Sequence, residues 1–353
     1  MKKLAYMGLE ILLIVVFLNG LILVGPGVTA SNQKVIKLKF SCPFIEAEPP
    51  AVIAKYFMDL VEKNTNGRVK FKRYFAEALA KHAEHIQLLS SGSVDLISVV
   101  PVYVGRELVL NQLCDFPFYT SNEKAVAQTT KLMMEIPETK AIFEKEQKRL
   151  KIKILYWNST GGMELLAKPK ATSLADLKGK KVNLWAPPDV QIWKKFNMAP
   201  VPIFVADFYE SLSRGVLDSV YFPPGGSLAL KLFEQAKSNL SLHQGDAGTP
   251  IIFNLKKWEK LPGDIREVIM EASRETSRWS VGYTEGLSGH IYKVFKDAGL
   301  YVGAVPKEES VKLFEAIMQH TTEEFWLGIC KKAGVGDEAQ VLLKYWRNMA
   351  WGK

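Results

Sequence analysis

A short pattern occurs once in each half of this sequence, and it constrains the fold more than any other feature. Residues 86–101 read IQLLSSGSVDLISVVP, and residues 208–224 read FYESLSRGVLDSVYFPP. In each copy a glycine, Gly92 or Gly215, ends a predicted helix, and an apolar strand begins at an aspartate shortly after it. One such turn is common, but two in comparable places predict two similar lobes.

The order of predicted elements indicates the fold class. Apolar residues alternate at 35–43 and 69–75 and fill 94–100, with helical spacing between these segments, so strands and helices alternate. Further strands are predicted at 150–157 and 180–185. This order is typical of an α/β fold with right-handed crossovers. We therefore expect two doubly wound lobes around a ligand cleft, because open α/β sheets bind ligands at the carboxyl ends of their strands.

One predicted helix is longer than a single lobe requires. No proline occurs after Pro262 until beyond Leu300, and apolar residues recur at helical spacing throughout. A continuous helix there would be roughly 45 to 50 Å long, so we expect it to span both lobes, which crossing strands also join. The predicted lobes are discontinuous: lobe I comprises residues 31–155 and 248–285, and lobe II comprises residues 156–247 and 286–353.

Residues 1–30 have the pattern of a secretory signal peptide. Two lysines precede an apolar run at 11–24, and small residues follow it up to Ala30. We expect cleavage after Ala30 and a periplasmic location. An uncleaved membrane anchor is the alternative, although the apolar run is short for a bilayer span.

The charge distribution argues against a nucleic-acid partner. The formal net charge is +9, but the lysines are scattered along the chain rather than gathered on one predicted face. We interpret the charge mainly as solvated surface. The sequence also lacks the G-x-S-x-G, H-E-x-x-H and phosphate-loop motifs, so no enzyme activity is expected.

Two further sets of residues bear on metal and disulfide chemistry. His82 and His85 lie three positions apart on a predicted helix, but the sequence marks no further ligand, so we expect solvated histidines and no metal or cofactor. Cys42, Cys114 and Cys330 form no C-x-x-C pair. One disulfide or three buried thiols both remain open.

Several segments, in order and at compatible spacing, resemble a known family of receptors. They read NGRVKFKRYF, LLSSGSVDL, SLADLKGKKVNLWAPP, APVPIFVADFYESLSRGVLDSVYFPP and FNLKKWEKLPGDIREVIMEAS. Together they resemble the solute-binding subunits of tripartite ATP-independent periplasmic (TRAP) transporters, the DctP-like family. The resemblance implies a periplasmic protein that closes on a small solute and delivers it to the transporter's membrane permease subunits.

The sequence departs from this family where a ligand is expected to bind. In the family, the strand after the D-L-K-G turn usually carries an arginine that pairs with a substrate carboxylate, and the matching residue here is Asn183. The other positions that the alignment places in the cleft are mostly apolar or aromatic. The candidate ligand-binding residues are Val100, Tyr103, Met163, Glu164, Asn183, Trp185, Val205, Tyr221 and Phe222.

This set of residues predicts an unusual ligand for the family. Burying a carboxylate without a cation is costly, whereas aromatic rings enclose an uncharged ligand readily. We therefore expect a less polar, aromatic or lipid-like solute. The alternatives are a carboxylate receptor that uses Lys181 or a metal, a carrier of hydrophobic ligands without a permease and, less favoured, an exported enzyme. The C-terminal segment with Trp346 is expected to form an amphipathic helix on lobe II.

Overall fold

The computed structural model describes residues 34–352. The predicted signal peptide, residues 1–30, lies outside this range. The strands are β1 (Ile36–Ser41), β2 (Val69–Tyr74), β3 (Leu96–Ser98), β4 (Ile152–Asn158), β5 (Glu164–Ala167), β6 (Lys181–Asn183), β7 (Ala199–Val201), β8 (Ser219–Phe222), β9 (Ser238–Ser241), β10 (Thr249–Asn254) and β11 (Tyr301–Ala304). The helices are α1 (Pro49–Asn64), α2 (His85–Ser90), α3 (Asn122–Thr130), α4 (Pro137–Leu150), α5 (Asp189–Lys195), α6 (Phe208–Ser213), α7 (Pro224–Ala229), α8 (Leu255–Glu259), α9 (Gly263–Asp297), α10 (Lys307–Ile317), α11 (Leu327–Lys332) and α12 (Gly336–Ala350).

The strands form two mixed sheets, which confirms the predicted two-lobed α/β class. The first lobe contains a sheet of order β2-β1-β3-β10-β4, and the second contains a sheet of order β11-β9-β5-β8-β6-β7. The chain passes between the sheets at 159–163 and again at 242–248, and we call these stretches the crossing segments. Strand β10 therefore lies in the first sheet although it follows most of the second in sequence. The carboxyl ends of β3 and β8 lie at the sheet edges that the crossing segments join.

The long helix predicted between Pro262 and Leu300 is confirmed as α9, which is 35 residues long. Its first half buries Ile265 and Ile269 in the core of the first lobe. Its second half buries Ile291 and Phe295 in the core of the second lobe. At about 1.5 Å per residue it extends for roughly 50 Å, so it runs along both lobes as a spine.

Serine side chains of α9 cover the outer edge of β4. The Oγ of Ser273 accepts the Tyr156 N–H at 3.1 Å, and the Oγ of Ser277 donates to the Trp157 carbonyl at 2.5 Å. These bonds pair backbone groups that an edge strand otherwise leaves open. The spine is thereby fixed to the strand that leads into the first crossing segment.

The C-terminal helix α12 does not pack on lobe II, where the sequence placed residues 286–353. Trp346 is fully buried in a core of the first lobe, with its ring centroid 5.6 Å from that of Phe118. The apolar spacing of α12 defines which face is buried, but the surface it covers is built by distant residues such as Phe116 and Phe143. Residue periodicity alone therefore could not choose between the lobes.

Cys42, Cys114 and Cys330 are all buried as free thiols. In residues 34–352, no helix reaches the length and apolarity that a bilayer crossing demands.

Candidate functional site

Two of the predicted site residues meet across the lobes. Tyr103 lies in the turn after β3 of the first sheet, and Trp185 lies two residues after β6 of the second. Their ring centroids are 5.9 Å apart, with the ring planes at 75°. Because each residue follows the carboxyl end of a strand, their contact lies where ligands of α/β sheets bind.

This contact is part of a larger group of rings. On the second lobe, Trp185 stacks on Phe222 at 5.7 Å and meets Phe208 edge-on at 5.8 Å. On the first lobe, Tyr103 contacts the ring of His82 at 4.5 Å. We call the following set the aromatic wall: Phe44, His82, Tyr103, Trp185, Phe208 and Phe222. The predicted residue Val205 packs on the same apolar cluster as Trp185 and Phe222.

His82 belongs to the aromatic wall rather than to the solvated surface that the sequence suggested. Its Nε2 accepts the N–H of the predicted site residue Val100 at 3.0 Å, and burial lowers the pKa of His82 to about 3. The imidazole is therefore neutral at physiological pH. His85 is also buried, with Nε2 3.1 Å from the Ser41 hydroxyl and Nδ1 3.0 Å from the Lys81 carbonyl. Across residues 34–352, no group of three or more His, Cys, Asp or Glu side chains is arranged to hold a metal ion.

Asn183 holds the end of β8 instead of extending into the cleft. It is fully buried, its Oδ1 accepts the Tyr221 N–H at 2.7 Å, and its Nδ2 donates to the Tyr221 carbonyl at 3.3 Å. The indole N–H of Trp185 donates to the same carbonyl at 2.9 Å. Asn183 and Trp185 therefore share the backbone of Tyr221 as a hydrogen-bond partner.

Tyr221 connects this arrangement to the crossing segments. Its hydroxyl donates to Oε1 of Gln244 at 2.7 Å, and Gln244 belongs to the second crossing segment. The carbonyl of Gln244 lies against Gly162 of the first crossing segment, where an added Cβ would come within 1.7 Å of it. Tyr221 is therefore bonded to one crossing segment, which in turn packs against the other.

Met163 and Glu164 lie apart from the aromatic wall. Both line a cavity of about 560 Å³ bordered by α9 and by the crossing segments, and its lining includes neither Tyr103 nor Trp185. Glu164 is buried and accepts hydrogen bonds from Tyr292 on α9 and from Asn239 on β9. Burial raises the pKa of Glu164. Its contacts tie β5 to β9 and to the spine.

Comparison with known families shows what kind of protein has this fold and cleft. The DctP family, described as bacterial extracellular solute-binding protein, family 7, matches residues 46–327, which is well over half of the chain. The chain belongs to this family. Its members are receptors for small organic solutes rather than enzymes, and they work with the membrane permease subunits of TRAP transporters.

Two relatives illustrate the range of the family. The C4-dicarboxylate-binding periplasmic protein DctP of Rhodobacter capsulatus is 24% identical over 271 residues, which is 75% of this chain and 78% of that protein. The 2,3-diketo-L-gulonate-binding periplasmic protein YiaO of Escherichia coli is 24% identical over 276 residues, covering 78% of this chain and 83% of its own length.

Solved structures share the fold. A TRAP periplasmic solute-binding protein of Desulfovibrio salexigens with bound orotic acid superposes with a TM-score of 0.75 at 18% identity, covering 89% of this chain and 98% of that one. A protein of Sulfitobacter sp. with bound β-D-galacturonate gives a TM-score of 0.71 at 18% identity, covering 88% and 99%.

Lys181 does not supply the charge that Asn183 lacks in this DctP-family protein. Its ammonium donates to the carbonyl of Gly215, and its backbone N–H donates to Oδ2 of Asp218 at 2.8 Å. Both partners lie at the amino-terminal end of β6, whereas the cleft lies beyond its carboxyl end. A carboxylate receptor based on Lys181 is therefore not favoured.

Carboxylates, by contrast, lie close to the aromatic wall. The Oδ2 of Asp115 accepts the Val102 N–H at 3.0 Å, and the Oδ2 of Asp189 accepts the Trp185 N–H at 2.6 Å. Burial raises the pKa of Asp115 to about 7 and that of Asp189 to about 6. In the second crossing segment, Asp246 accepts a hydrogen bond from Thr160 at 2.9 Å, and burial raises its pKa to about 7.

Proposed function

We propose that this TRAP-type receptor captures a small solute that presents an apolar or aromatic surface, rather than a carboxylate, to the rings of Tyr103 and Trp185. The observation that carries the proposal is the buried amide of Asn183, both ends of which are bonded to the backbone of Tyr221. The proposed ligand contacts are Val100, Tyr103, Trp185, Val205 and Phe222, and Asn183 and Tyr221 position them. Met163 and Glu164, which the sequence also suggested, line a separate cavity and are not proposed as contacts.

The argument against a carboxylate rests on charge. The relatives described above are named for, or hold, C4-dicarboxylates, 2,3-diketo-L-gulonate, orotic acid and galacturonate, all of which are acids. A buried carboxylate needs a cation or several donors to offset its desolvation. In this chain, Asn183 stands at the strand end where the family usually has arginine, and the Lys181 ammonium is bonded to Gly215. An acid would find no matching charge at that position.

We infer that the lobes close on the solute, because the two rings belong to different lobes. Tyr103 belongs to the first lobe and Trp185 to the second, so a solute that touches both rings completes its contacts when the lobes meet. The spine α9 and the crossing segments hold the two lobes in register during this movement. We further propose cleavage after Ala30, a periplasmic location and delivery of the solute to a TRAP membrane permease.

The experiment that tests this proposal identifies the natural solute. The mature protein, purified through its own secretion pathway, is measured by native mass spectrometry, and any bound compound is released under denaturing conditions and identified. The compound is then titrated into the wild type, Trp185→Ala and the control Trp279→Ala, whose half-buried ring stacks on Tyr56 away from the cleft.

We expect a compound that lacks a carboxylate, with affinity reduced at least about tenfold in Trp185→Ala and unchanged in Trp279→Ala. A dicarboxylate or sugar acid as the tightest ligand contradicts the proposal. Equal affinity for both variants would show that the solute binds away from the aromatic wall.

A further inference from the structure

One carboxylate stands on each side of the contact between Tyr103 and Trp185. Asp115 accepts the N–H of Val102, the residue before Tyr103, at 3.0 Å. Asp189 accepts the N–H of Trp185 itself at 2.6 Å. Within residues 34–352, the hydrogen bonds that Asp115 and Asp189 accept are all accepted by Oδ2. One carboxylate therefore bonds the backbone next to Tyr103, and the other bonds the backbone of Trp185.

Within the described part of the chain, neither carboxylate is paired with a basic side chain. None of the ion pairs formed within residues 34–352 includes Asp115 or Asp189. The neighbouring charges are also negative. Burial is the main cause of the raised pKa of Tyr103, and the charges of Asp115 and Glu48 add to it. Burial likewise raises the pKa of Asp115, and the charge of Asp246 adds to that shift. Although the chain carries a net charge of +9, its cleft is acidic.

An acidic aromatic cleft fits one class of ligand. The faces of tryptophan and tyrosine rings attract cations, and most strongly those with weak hydration. A cation would also offset the desolvation of the buried carboxylates. We propose that the solute is an organic cation, a quaternary ammonium or a protonated amine with an apolar body, held by Tyr103 and Trp185 between Asp115 and Asp189. This inference rests on the proposed function, because it names the charge of a solute in the same cleft.

The negative charge is not needed for the hydrogen bonds themselves. An asparagine at position 115 would still accept the Val102 N–H through its side-chain carbonyl, while losing the charge. Asp115→Asn therefore separates a role in folding from a role in attracting a cation. Asp297→Asn is the matched control, because Asp297 is an exposed carboxylate near the end of α9, paired with Lys293 and remote from the cleft.

The test uses three probes of similar shape and different charge. Choline is the cation, 3,3-dimethylbutan-1-ol is its neutral counterpart, and 3,3-dimethylbutanoate is an anion with the same branched end. Benzyltrimethylammonium serves as a larger cation. Dissociation constants are measured by titration calorimetry for the wild type, Asp115→Asn and Asp297→Asn.

We expect a cation to bind the wild type at least about tenfold more tightly than the alcohol. Asp115→Asn should lose most of this preference while its affinity for the alcohol is unchanged, and Asp297→Asn should behave as the wild type. Binding of the alcohol equal to or tighter than both cations, or no measurable binding of either cation, overturns the inference and leaves the proposed function standing. Tightest binding of the butanoate overturns both.

Discussion

Asn183 pairs its side-chain amide with both backbone polar groups of Tyr221, accepting the N–H at 2.7 Å and donating to the carbonyl at 3.3 Å. The parallel backbone pairing of β6 with β8 is at Val182 and Ser219, so this amide continues the connection at the strand end. The position at which the family resemblance predicts a ligand-binding arginine is here closed to solvent, and its side chain holds a strand.

Replacing this amide should cost stability. Asn183→Ala leaves the buried N–H of Tyr221 without its acceptor, so we expect the free energy of unfolding to fall by about 1–3 kcal/mol. Urea denaturation measures the change. The control Asn348→Ala alters an exposed residue of α12 and should change the same quantity by less than about 0.5 kcal/mol. Equal effects for the two variants would refute the structural role of Asn183.

The close contact between the crossing segments makes a second prediction. A Cβ at residue 162 would lie 1.7 Å from the carbonyl oxygen of Gln244 and 2.8 Å from its carbon. Gly162→Ala must therefore push the segments apart, and we expect a loss of about 1–3 kcal/mol in the free energy of unfolding, together with weaker solute binding.

The matched control for Gly162→Ala is Gly289→Ala in the spine. Position 289 is exposed on α9, and an added Cβ would meet no atom within 4 Å. Because alanine favours a helix more than glycine does, Gly289→Ala should raise the free energy of unfolding by about 0.5–1 kcal/mol. A stability loss in Gly289→Ala, or none in Gly162→Ala, would contradict these assignments.

The raised pKa of Asp246 predicts a specific pH dependence. Burial raises this pKa to about 7 from the usual value of 3.8. A carboxyl with a raised pKa in the folded state contributes stability below the unfolded pKa and loses that contribution as the pH rises through the folded value. The wild type should therefore lose stability relative to Asp246→Asn as the pH increases from about 4 to 7.

Urea denaturation of both proteins between pH 4 and pH 8 measures this difference. It should grow up to about pH 7 and level off by about pH 8, because Asp246 is half ionised at its folded pKa and mostly ionised one unit above it. A difference that stays constant across the range would show that Asp246 has an ordinary pKa in the folded protein.

The contact between Tyr103 and Trp185, which joins the two lobes, can be measured as a coupling energy. A double-mutant cycle of Tyr103→Ala and Trp185→Ala should give about 0.5–1.5 kcal/mol, the usual value for an aromatic pair. The stacked pair Tyr56 and Trp279, with centroids 4.0 Å apart, provides a positive control between two helices. A coupling near zero for the first pair alone would mean that the lobes are apart in the solute-free protein.

The parts of the fold that the sequence predicted are those set by local periodicity. The spine α9 follows from apolar residues at helical spacing without proline, and the two lobes follow from the repeated turn at Gly92 and Gly215. The packing of α12 on the first lobe did not follow, because an amphipathic pattern identifies a buried face and not its partner.

The sequence named candidate site residues but not the contacts that they make. Tyr103, Trp185 and Phe222 were named from the family resemblance, and in the structure Trp185 contacts the rings of both other residues. The role of Asn183 depends on Tyr221, 38 positions away, and the place of His82 depends on rings from two other turns. Contacts between distant side chains of this kind have no signal in a single sequence.

A crystal structure of the secreted protein with its co-purified solute, grown without added ligand, tests the central claim most directly. The account predicts solute density between the rings of Tyr103 and Trp185, with Asn183 still bonded to Tyr221 and no carboxylate of the solute facing it. Density for a carboxylate at Asn183, or for a solute in the cavity beside Glu164 with the aromatic wall unchanged, would contradict it.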